Sequence, residues 1–269
     1  MKTKSDTPLT TQEAFILNYK RHKRNVHLLR IILLILFLCI WEISSYTGLI
    51  DSFFFASPSI VVKCAIDMIR DGTLFTNIGV TLAETIISFF LVIIISIAVA
   101  TILWHRKSTS EVLEPYLVIL NSLPKSALAP LFIVWLGTGM RTIIVAGISV
   151  AVFGCIISIY TGFMQVDPEE MKLIYTLGGT KGDVFRKVVF PSSIPIIISN
   201  MKVNIGLSLV GVIIGEFLAA RRGLGYLIIY GSQVFKLDMV ITSIIILCII
   251  AVILYQGIRQ LEKIYLKEK

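Results

Sequence analysis

Charged residues are scarce in this chain: they make up 16% of its 269 residues, whereas soluble domains carry about 25%. Hydrophobic residues account for 56% of the sequence and are gathered into long runs. Such runs are typical of segments that are surrounded by lipid rather than by water. The scarcity of charge therefore excludes an ordinary soluble domain and indicates an integral membrane protein.

Motifs for nucleotide binding and for catalysis are also lacking. The chain contains no GxxxxGK[ST] loop, which would hold nucleotide phosphates, and it contains neither HExxH nor GxSxG. Its three histidines, His22, His27 and His105, lie in or beside basic stretches and are interpreted as anchors at the membrane interface. We therefore predict that the chain is not an enzyme and carries no cofactor.

Cysteines are few and are not spaced for metal binding. The four cysteines are Cys39, Cys64, Cys155 and Cys248, and no two of them form a CxxC pair. Three of them lie inside apolar runs, where cysteine packs as a small apolar residue. The sequence therefore predicts neither a disulfide framework nor a metal site.

Six segments are long and apolar enough to span a bilayer, which requires roughly 20 residues. They cover about 27–47, 77–104, 113–136, 141–163, 194–219 and 239–258. We expect Pro115, Pro124 and Pro130 to interrupt the third segment. The pattern predicts an all-α integral membrane fold with six transmembrane helices.

The distribution of basic residues predicts the orientation of these helices. With both termini inside, 17 of the 25 lysines and arginines lie in inner segments and six lie in outer segments. This excess places both termini in the cytoplasm of a multi-pass protein of the cell membrane. The net charge of +8 is explained by the same pattern, and it indicates contact with the lipid bilayer rather than with nucleic acid.

The chain divides by its apolar and charged segments. We predict a cytoplasmic tail (1–27), a first transmembrane helix (28–52) and an amphipathic helix at the outer surface (53–72). A core (73–262) contains a cytoplasmic loop (164–195) and is followed by a short cytoplasmic tail (263–269). The first apolar run follows a polar segment and is followed by no small-residue cleavage site, so we expect it to be retained rather than removed as a signal.

The loop between the fourth and fifth segments predicts a helical hairpin. Asp167 can cap a first helix that runs through Leu177 and stops at the next two residues, Gly178 and Gly179. Thr180 can cap a second helix, with Asp183 completing a capping box. Its apolar face consists of Val184, Phe185, Val188 and Val189, and Pro191 and Pro195 are expected to end it. The residues alone leave open whether this hairpin is an ordinary surface element or a docking site.

This loop resembles the EAA loop of permease subunits in binding-protein-dependent ABC importers. That signature is EAA, three residues, Gly, nine residues, and then Ile-x-Leu-Pro. Gly178 and Pro191 match it outright, and Val188 and Phe190 match it in kind. The EAA triplet itself is replaced by Lys172-Leu-Ile, and Glu170 lies two residues earlier.

Four further segments resemble the nitrate, sulfonate and taurine branch of this family. They are FASPSIV (55–61), LNSLPKSALAPLFIVWLGTGM (120–140), the TLGG version of the loop (176–195) and GEFLAARRGLGYLI (215–228). The similarity covers roughly residues 53–260. One departure is Glu84, at a place where the branch often has arginine.

The resemblance implies a MetI-like permease core and a set of partners. Two cytoplasmic ATPase subunits would bind ATP and Mg²⁺ and dock on the loops of a permease dimer. We expect two copies of this chain in that dimer, and a pairing with a second, different permease stays open. An extracytoplasmic solute-binding protein would deliver a small solute. The anions sulfonate, taurine and nitrate fit the branch, while similar permeases carry thiamine precursors or riboflavin. The residues implied in ATPase coupling are Glu170, Lys172, Leu177, Gly178, Gly179, Asp183, Val188 and Pro191.

Two charges inside the predicted spans are candidates for a pore or gate. Lys125 could line a path for anions, although its side chain could also extend to the inner interface. Glu216 could be a gate, an anchor between helices or an interfacial residue. With Glu84, these residues make no recognisable catalytic set.

Two other classes of protein remain open from the sequence. A secondary transporter or channel would work without ATP, and many such folds carry internal repeats, of which we find none. A membrane-embedded enzyme would need polar groups that converge inside the spans. Co-purification of an ATPase would separate the importer from both alternatives.

Overall fold

The structure is a computed structural model that describes residues 11–48 and 56–267. Within these ranges the chain is almost entirely helical and contains no strand. The helices are α1 (Thr11–Tyr46), α2 (Pro58–Arg70), α3 (Thr73–His105), α4 (Lys107–Ser122), α5 (Lys125–Leu136), α6 (Met140–Met164), α7 (Pro168–Thr176), α8 (Lys181–Val184), α9 (Phe190–Ala219), α10 (Leu224–Gln233) and α11 (Leu237–Lys267). A π-helical turn (Phe185–Val189) joins α8 to α9.

Five helical stretches of the described chain are long and apolar enough to cross a membrane. They lie within α1, α3, α6, the continuous stretch from α8 through α9, and α11. The pair α4 and α5 passes the same test but is bent by 96°, so the number is six if this pair counts as one broken span. The predicted all-α membrane fold is confirmed.

The described residues divide at residues 63 and 64 into two compact units. In the first unit, α1 begins at Thr11, so the segment predicted as a tail up to residue 27 is helical from that residue onwards. Glu42 near the end of α1 accepts hydrogen bonds from the Ser59 backbone N–H (3.1 Å) and hydroxyl (2.7 Å), which satisfies an otherwise free amide at the start of α2. Helix α2 is shorter than the predicted 53–72, and residues 53–55 lie outside the described residues.

The core of the second unit is built around α6, which packs between α3 and α9. Glycines bring α6 and α9 into close contact: a Cβ atom on Gly211 would lie 2.8 Å from the Cα atom of Gly147, and one on Gly215 would lie 2.9 Å from the Cα atom of Ile143. Small residues spaced four positions apart on a membrane helix let the backbones of two helices approach closely, and close packing is what holds membrane helices together. The Gly211–Gly215 spacing therefore fixes the crossing of the two central helices.

The third predicted span is broken at one proline rather than at three. Leu123 and Pro124 adopt extended backbone between α4 and α5, and the residue before a proline disfavours helical geometry. Pro115 and Pro130 lie inside α4 and α5 instead. The prediction that all three interrupt the segment was wrong, because a helix in a membrane tolerates a proline when nearby groups satisfy the freed carbonyl.

The second helix of the loop does not end at Pro191 or Pro195, as predicted. Helix continues from Lys181 to Ala219, with Pro191 in the first turn of α9 and Pro195 inside it. The π turn immediately before Pro191 bonds the Phe190 N–H to the Phe185 carbonyl, and its wider geometry suits a residue that lacks an N–H. The loop is thus joined to the longest helical stretch of the core without a break.

Candidate functional site

The hairpin 167–191 is held in shape by its caps. Asp167 accepts a hydrogen bond from the Glu169 N–H (2.8 Å), with Pro168 in the first turn of α7. Thr180 and Asp183 form a reciprocal capping box, in which the Asp183 carboxylate accepts from the Thr180 N–H at 2.9 Å. Each cap of this kind contributes about 0.5–2 kcal/mol to the stability of its helix. Both predicted caps are confirmed.

The turn between α7 and α8 requires its two glycines for different reasons. The Gly179 N–H donates to the Ile174 carbonyl and the Gly178 N–H donates to the Tyr175 carbonyl, which is the Schellman pattern at a helix end. Gly178 has a φ of +81°, which favours glycine. A Cβ atom on Gly179 would lie 2.5 Å from the Ile174 side chain.

The inner face of the hairpin is attached to the core by aromatic rings. The Phe185 ring lies 5.2 Å from that of Trp104 and 5.4 Å from that of Phe163, measured between ring centroids. Val184 and Val189 are fully buried beside it, and Val188 packs against the same cluster. The hairpin is therefore packed directly against the end of α3.

Lys181 makes a second attachment to the end of α3. Its amine donates to the His105 carbonyl (2.8 Å) and lies 5.3 Å from the centre of the Trp104 ring. A cation at the C-terminal end of a helix is favoured by the helix dipole, and contact with an indole face adds to it. Trp104 and Lys181 were not singled out by the sequence, because their pairing joins residues 77 positions apart.

The outer face of the hairpin is exposed and partly apolar. Leu177 is 75% exposed and Leu173 is 59% exposed. Lys172 lies on the same helix and pairs with Glu169 at 3.7 Å, with both side chains in solvent. The predicted coupling residues thus separate into three groups. Glu170, Lys172 and Leu177 face outward; Gly178, Gly179 and Asp183 shape the turn; Val188 and Pro191 lie towards the core.

Glu216 is buried between helices at the end of the core opposite the hairpin. It is 1% exposed and accepts hydrogen bonds from the Thr81 hydroxyl (2.7 Å) and the Gly225 N–H (2.6 Å). This geometry is that of an anchor joining α3, α9 and the start of α10, and it excludes an exposed interfacial position. Glu84 also lies in this cluster, so the carboxyl groups that the sequence left apart do converge.

Lys125 lies at the break between α4 and α5. Its amine donates to the Asn121 carbonyl in the last turn of α4 and so satisfies one of the groups freed by the bend. No hydrogen bond or ion pair within the described ranges joins Lys125 to Glu216. The two candidate pore charges therefore belong to separate sites.

Comparison with known proteins identifies the chain. The family described as "binding-protein-dependent transport system inner membrane component" matches residues 91–263, a range that includes the hairpin, α5, α6 and α9. The chain belongs to this family. It is the permease subunit of an ABC importer, a multi-pass membrane protein with a MetI-like core.

Relatives of the permease cover most of its length. ThiX, a formylaminopyrimidine transport permease of Halalkalibacterium halodurans, is 28% identical over 86% of this chain and 92% of the relative. TauC, a taurine transport permease of Escherichia coli, is 24% identical over 84% of each chain. SsuC, a putative aliphatic sulfonates transport permease of Bacillus subtilis, is 24% identical over 86% of this chain and 83% of the relative.

Solved structures share the fold of the permease. An inward-facing form of the MetNI methionine ABC transporter superposes with a TM-score of 0.63 at 17% identity, over 72% of this chain and 96% of that chain. A crystal structure of an amino acid ABC transporter gives a TM-score of 0.59 at 15% identity, over 76% of this chain and 98% of that chain. These likenesses support the helical architecture.

A cavity of about 420 Å³ lies among α4, α6 and α9 of the permease, with both apolar and uncharged polar residues in its lining. Asn121, Ser158, Thr161 and Gln165 supply its polar lining, and no lining residue is charged. The Ser158 hydroxyl donates to the Asn200 side chain at 2.8 Å. Uncharged hydroxyls and amides inside a membrane protein can bind a solute by hydrogen bonds. They do so without the strong attraction that a charged side chain would exert on a charged solute.

A second cavity, of about 630 Å³, opens at the end of the core opposite the hairpin. Arg221, Arg222 and Asp71 bring charge to its rim, and Tyr226 stacks on Tyr230 at 5.9 Å. Hydrogen bonds from Thr73 lower the pKa of Asp71, so its carboxyl is ionised at neutral pH. The cavity thus presents both signs of charge to whatever approaches this end of the permease.

Proposed function

We propose that two copies of this permease assemble with two cytoplasmic ATPase subunits and an extracytoplasmic solute-binding protein. The hairpin 167–191 is the docking site of the ATPase, and both termini lie in the cytoplasm. The observation that carries this proposal is the hairpin itself: its outer face exposes apolar side chains, and its inner face is fastened to the core. An exposed apolar patch on a capped, rigid element suits a partner surface.

The mechanism follows from how the hairpin is attached. ATP binding would bring the two ATPase subunits together and shift both hairpins as rigid bodies. The shift passes through Phe185 and Lys181 into α3, and through the π turn into α9. These two helices flank α6, so their movement would open the core to one side of the membrane and then to the other.

A pull-down of the tagged permease, expressed with its chromosomal neighbours, tests the docking site. We expect an ATPase subunit to co-purify and Gly178→Asp to release it, because a side chain at a φ of +81° strains the turn that shapes the docking face. Gly182→Ala is the matched control: a Cβ atom on Gly182, in the same hairpin, would meet only the Thr180 hydroxyl, at an ordinary contact distance of 3.7 Å, and should leave binding unchanged. The amount of ATPase that co-purifies with Lys172→Glu shows whether the lysine at the EAA position contributes to binding of this partner.

The same experiment can contradict the proposal. If no ATPase binds a permease that elutes as a folded species, transport is not ATP-driven and ion-coupled uptake becomes the explanation. If Gly178→Asp retains the ATPase as well as Gly182→Ala does, the docking site lies elsewhere on the permease.

We propose a small anionic solute of the sulfonate, taurine or nitrate class as substrate. The support is that taurine and aliphatic sulfonate permeases are among the relatives, and that the side chains of Asn121, Thr161 and Gln165 in the 420 Å³ cavity offer neutral donors suited to an oxyanion. In proteoliposomes with the complete complex, we expect ATP-dependent uptake of one of these anions. Uptake of formylaminopyrimidine with no uptake of any of the anions would overturn this assignment, since another relative carries that name.

A further inference from the structure

Two carboxyl groups are buried against each other in the permease core, and the proposed transport mechanism uses neither of them. Glu84 on α3 is 2% exposed and Glu216 on α9 is 1% exposed. Their side chains lie close enough to interact, and Thr81, which donates to Glu216, lies one turn before Glu84 on α3. One oxygen of Glu84, Oε2, is buried and has no hydrogen-bond partner.

Both oxygens of Glu216 accept hydrogen bonds from other groups. Oε1 accepts from the Thr81 hydroxyl at 2.7 Å, and Oε2 accepts from the Gly225 N–H at 2.6 Å. Gly225 is in the first turn of α10, where free N–H groups and the helix dipole favour an ionised carboxylate. Glu216 therefore has the surroundings of a negative charge.

The neighbouring amides of the same turn are also bonded to buried polar side chains. The Gly223 N–H donates to the Asn77 side-chain oxygen at 2.6 Å, and the Leu224 N–H donates to the Thr81 hydroxyl at 2.9 Å. A Cβ atom on Gly223 would lie 2.4 Å from the carboxyl carbon of Glu216. The turn Gly223–Gly225 is thus fitted closely onto Glu216.

Glu84 cannot carry a second negative charge in this place. Two carboxylates in contact and out of water repel each other strongly, so such pairs hold a proton between them. No lysine, arginine or histidine forms an ion pair with either carboxyl group within residues 11–48 and 56–267. A proton is the simplest ligand that satisfies both groups.

We propose that Glu84 holds a proton in the membrane interior and donates it to the Glu216 carboxylate. Glu84 is then a positioning residue: as a neutral acid it keeps Glu216 in place, and Glu216 keeps the turn Gly223–Gly225 against α3. This turn leads into α10, which lines the 630 Å³ cavity at the end of the core opposite the hairpin, so the acid pair sets the shape of that end of the permease. The proposal rests on the contacts alone and stands whether or not the assigned solute class is correct.

Infrared spectroscopy of the purified permease at neutral pH tests the proton directly. A protonated carboxyl has a carbonyl stretching band that a carboxylate lacks. We expect this band in the unmodified protein and its loss in Glu84→Gln. Glu262→Gln is the matched control: Glu262 forms an ion pair with Lys202 at 2.8 Å, and its replacement should leave the band unchanged. Absence of the band from the unmodified protein would overturn the proposal.

Thermal stability and uptake test the positioning role. Glu84→Gln should keep both, because its amide donates the same hydrogen bond as a protonated acid. Glu84→Leu leaves the buried Glu216 without that donor, and we expect its thermal midpoint to fall by at least about 3 °C. If Glu84→Gln loses as much stability as Glu84→Leu, the charge of Glu84 is what matters and the proposal fails. If Glu84→Leu does not fold, the thermal midpoint of Glu84→Gln is compared with that of the unmodified permease, and a clear fall overturns the proposal.

Discussion

Replacing Gly211 with alanine is expected to lower the free energy of unfolding of the permease by about 1–3 kcal/mol. The added Cβ would lie 2.8 Å from the Cα atom of Gly147 and 2.9 Å from the Ala146 carbonyl oxygen. Both contacts are with backbone, which cannot turn aside as a flexible side chain can. Helices α6 and α9 must therefore separate along the most extensive packing surface of the core. Thermal unfolding in detergent, followed by fluorescence, measures the loss.

Gly206→Ala provides the comparison on the same helix. Gly206 is exposed and has nothing within 4 Å of a Cβ position. Because alanine favours helix over glycine by about 1 kcal/mol, this variant should be as stable as the unmodified permease or slightly more stable. Equal effects of the two substitutions would show that helix propensity outweighs packing and that the α6–α9 crossing tolerates expansion.

Replacing Phe185 with alanine is expected to separate ATP hydrolysis from transport in the assembled importer. Phe185 contacts Trp104, Phe163 and Phe190 but is not part of the outward face of α7. The ATPase should therefore still bind and hydrolyse ATP, while movement of the hairpin no longer reaches α3. We expect uptake into proteoliposomes to fall about tenfold or more, since removal of a packed phenylalanine side chain costs several kcal/mol.

Leu177→Ser should give the opposite pattern. Leu177 is 75% exposed, so its replacement costs the fold little, and it should weaken ATPase binding instead. ATPase activity, binding and uptake measured on both variants distinguish docking from transmission. If Phe185→Ala transports normally, the aromatic contacts do not carry the movement, and the continuous helix from α8 into α9 is the remaining connection.

Helix α3 connects the two ends of the core on which these predictions act. Its last turn carries Trp104, which contacts the hairpin, and its first turns carry Thr81 and Glu84, which hold the turn Gly223–Gly225. Thr81 and Trp104 are 23 residues apart in one helix, which corresponds to about 35 Å. A continuous helix of this length can transmit a shift between the hairpin and the 630 Å³ cavity at the opposite end of the core.

Local features of the permease could be predicted because each depends on residues close in sequence. The caps at Asp167 and Thr180 require only a side chain and an amide two or three residues later. The positive φ of Gly178 follows from where the first hairpin helix ends. The predicted effects of Pro115, Pro130 and Pro191 were wrong, because whether a proline breaks a helix depends on what surrounds the freed carbonyl.

The sequence by itself determined the membrane class, the number of apolar segments, the hairpin and the resemblance to importer permeases. These follow from composition, periodicity and short spacings, which are properties of the chain before it folds. Only the tertiary structure decided that Glu84 meets Glu216, that Lys181 and Phe185 fasten the hairpin to α3, and that Gly211 touches Gly147. Each of these joins residues far apart in the chain. Pairing of that kind depends on how helices pack against one another, and packing is set by the shape of all of them together.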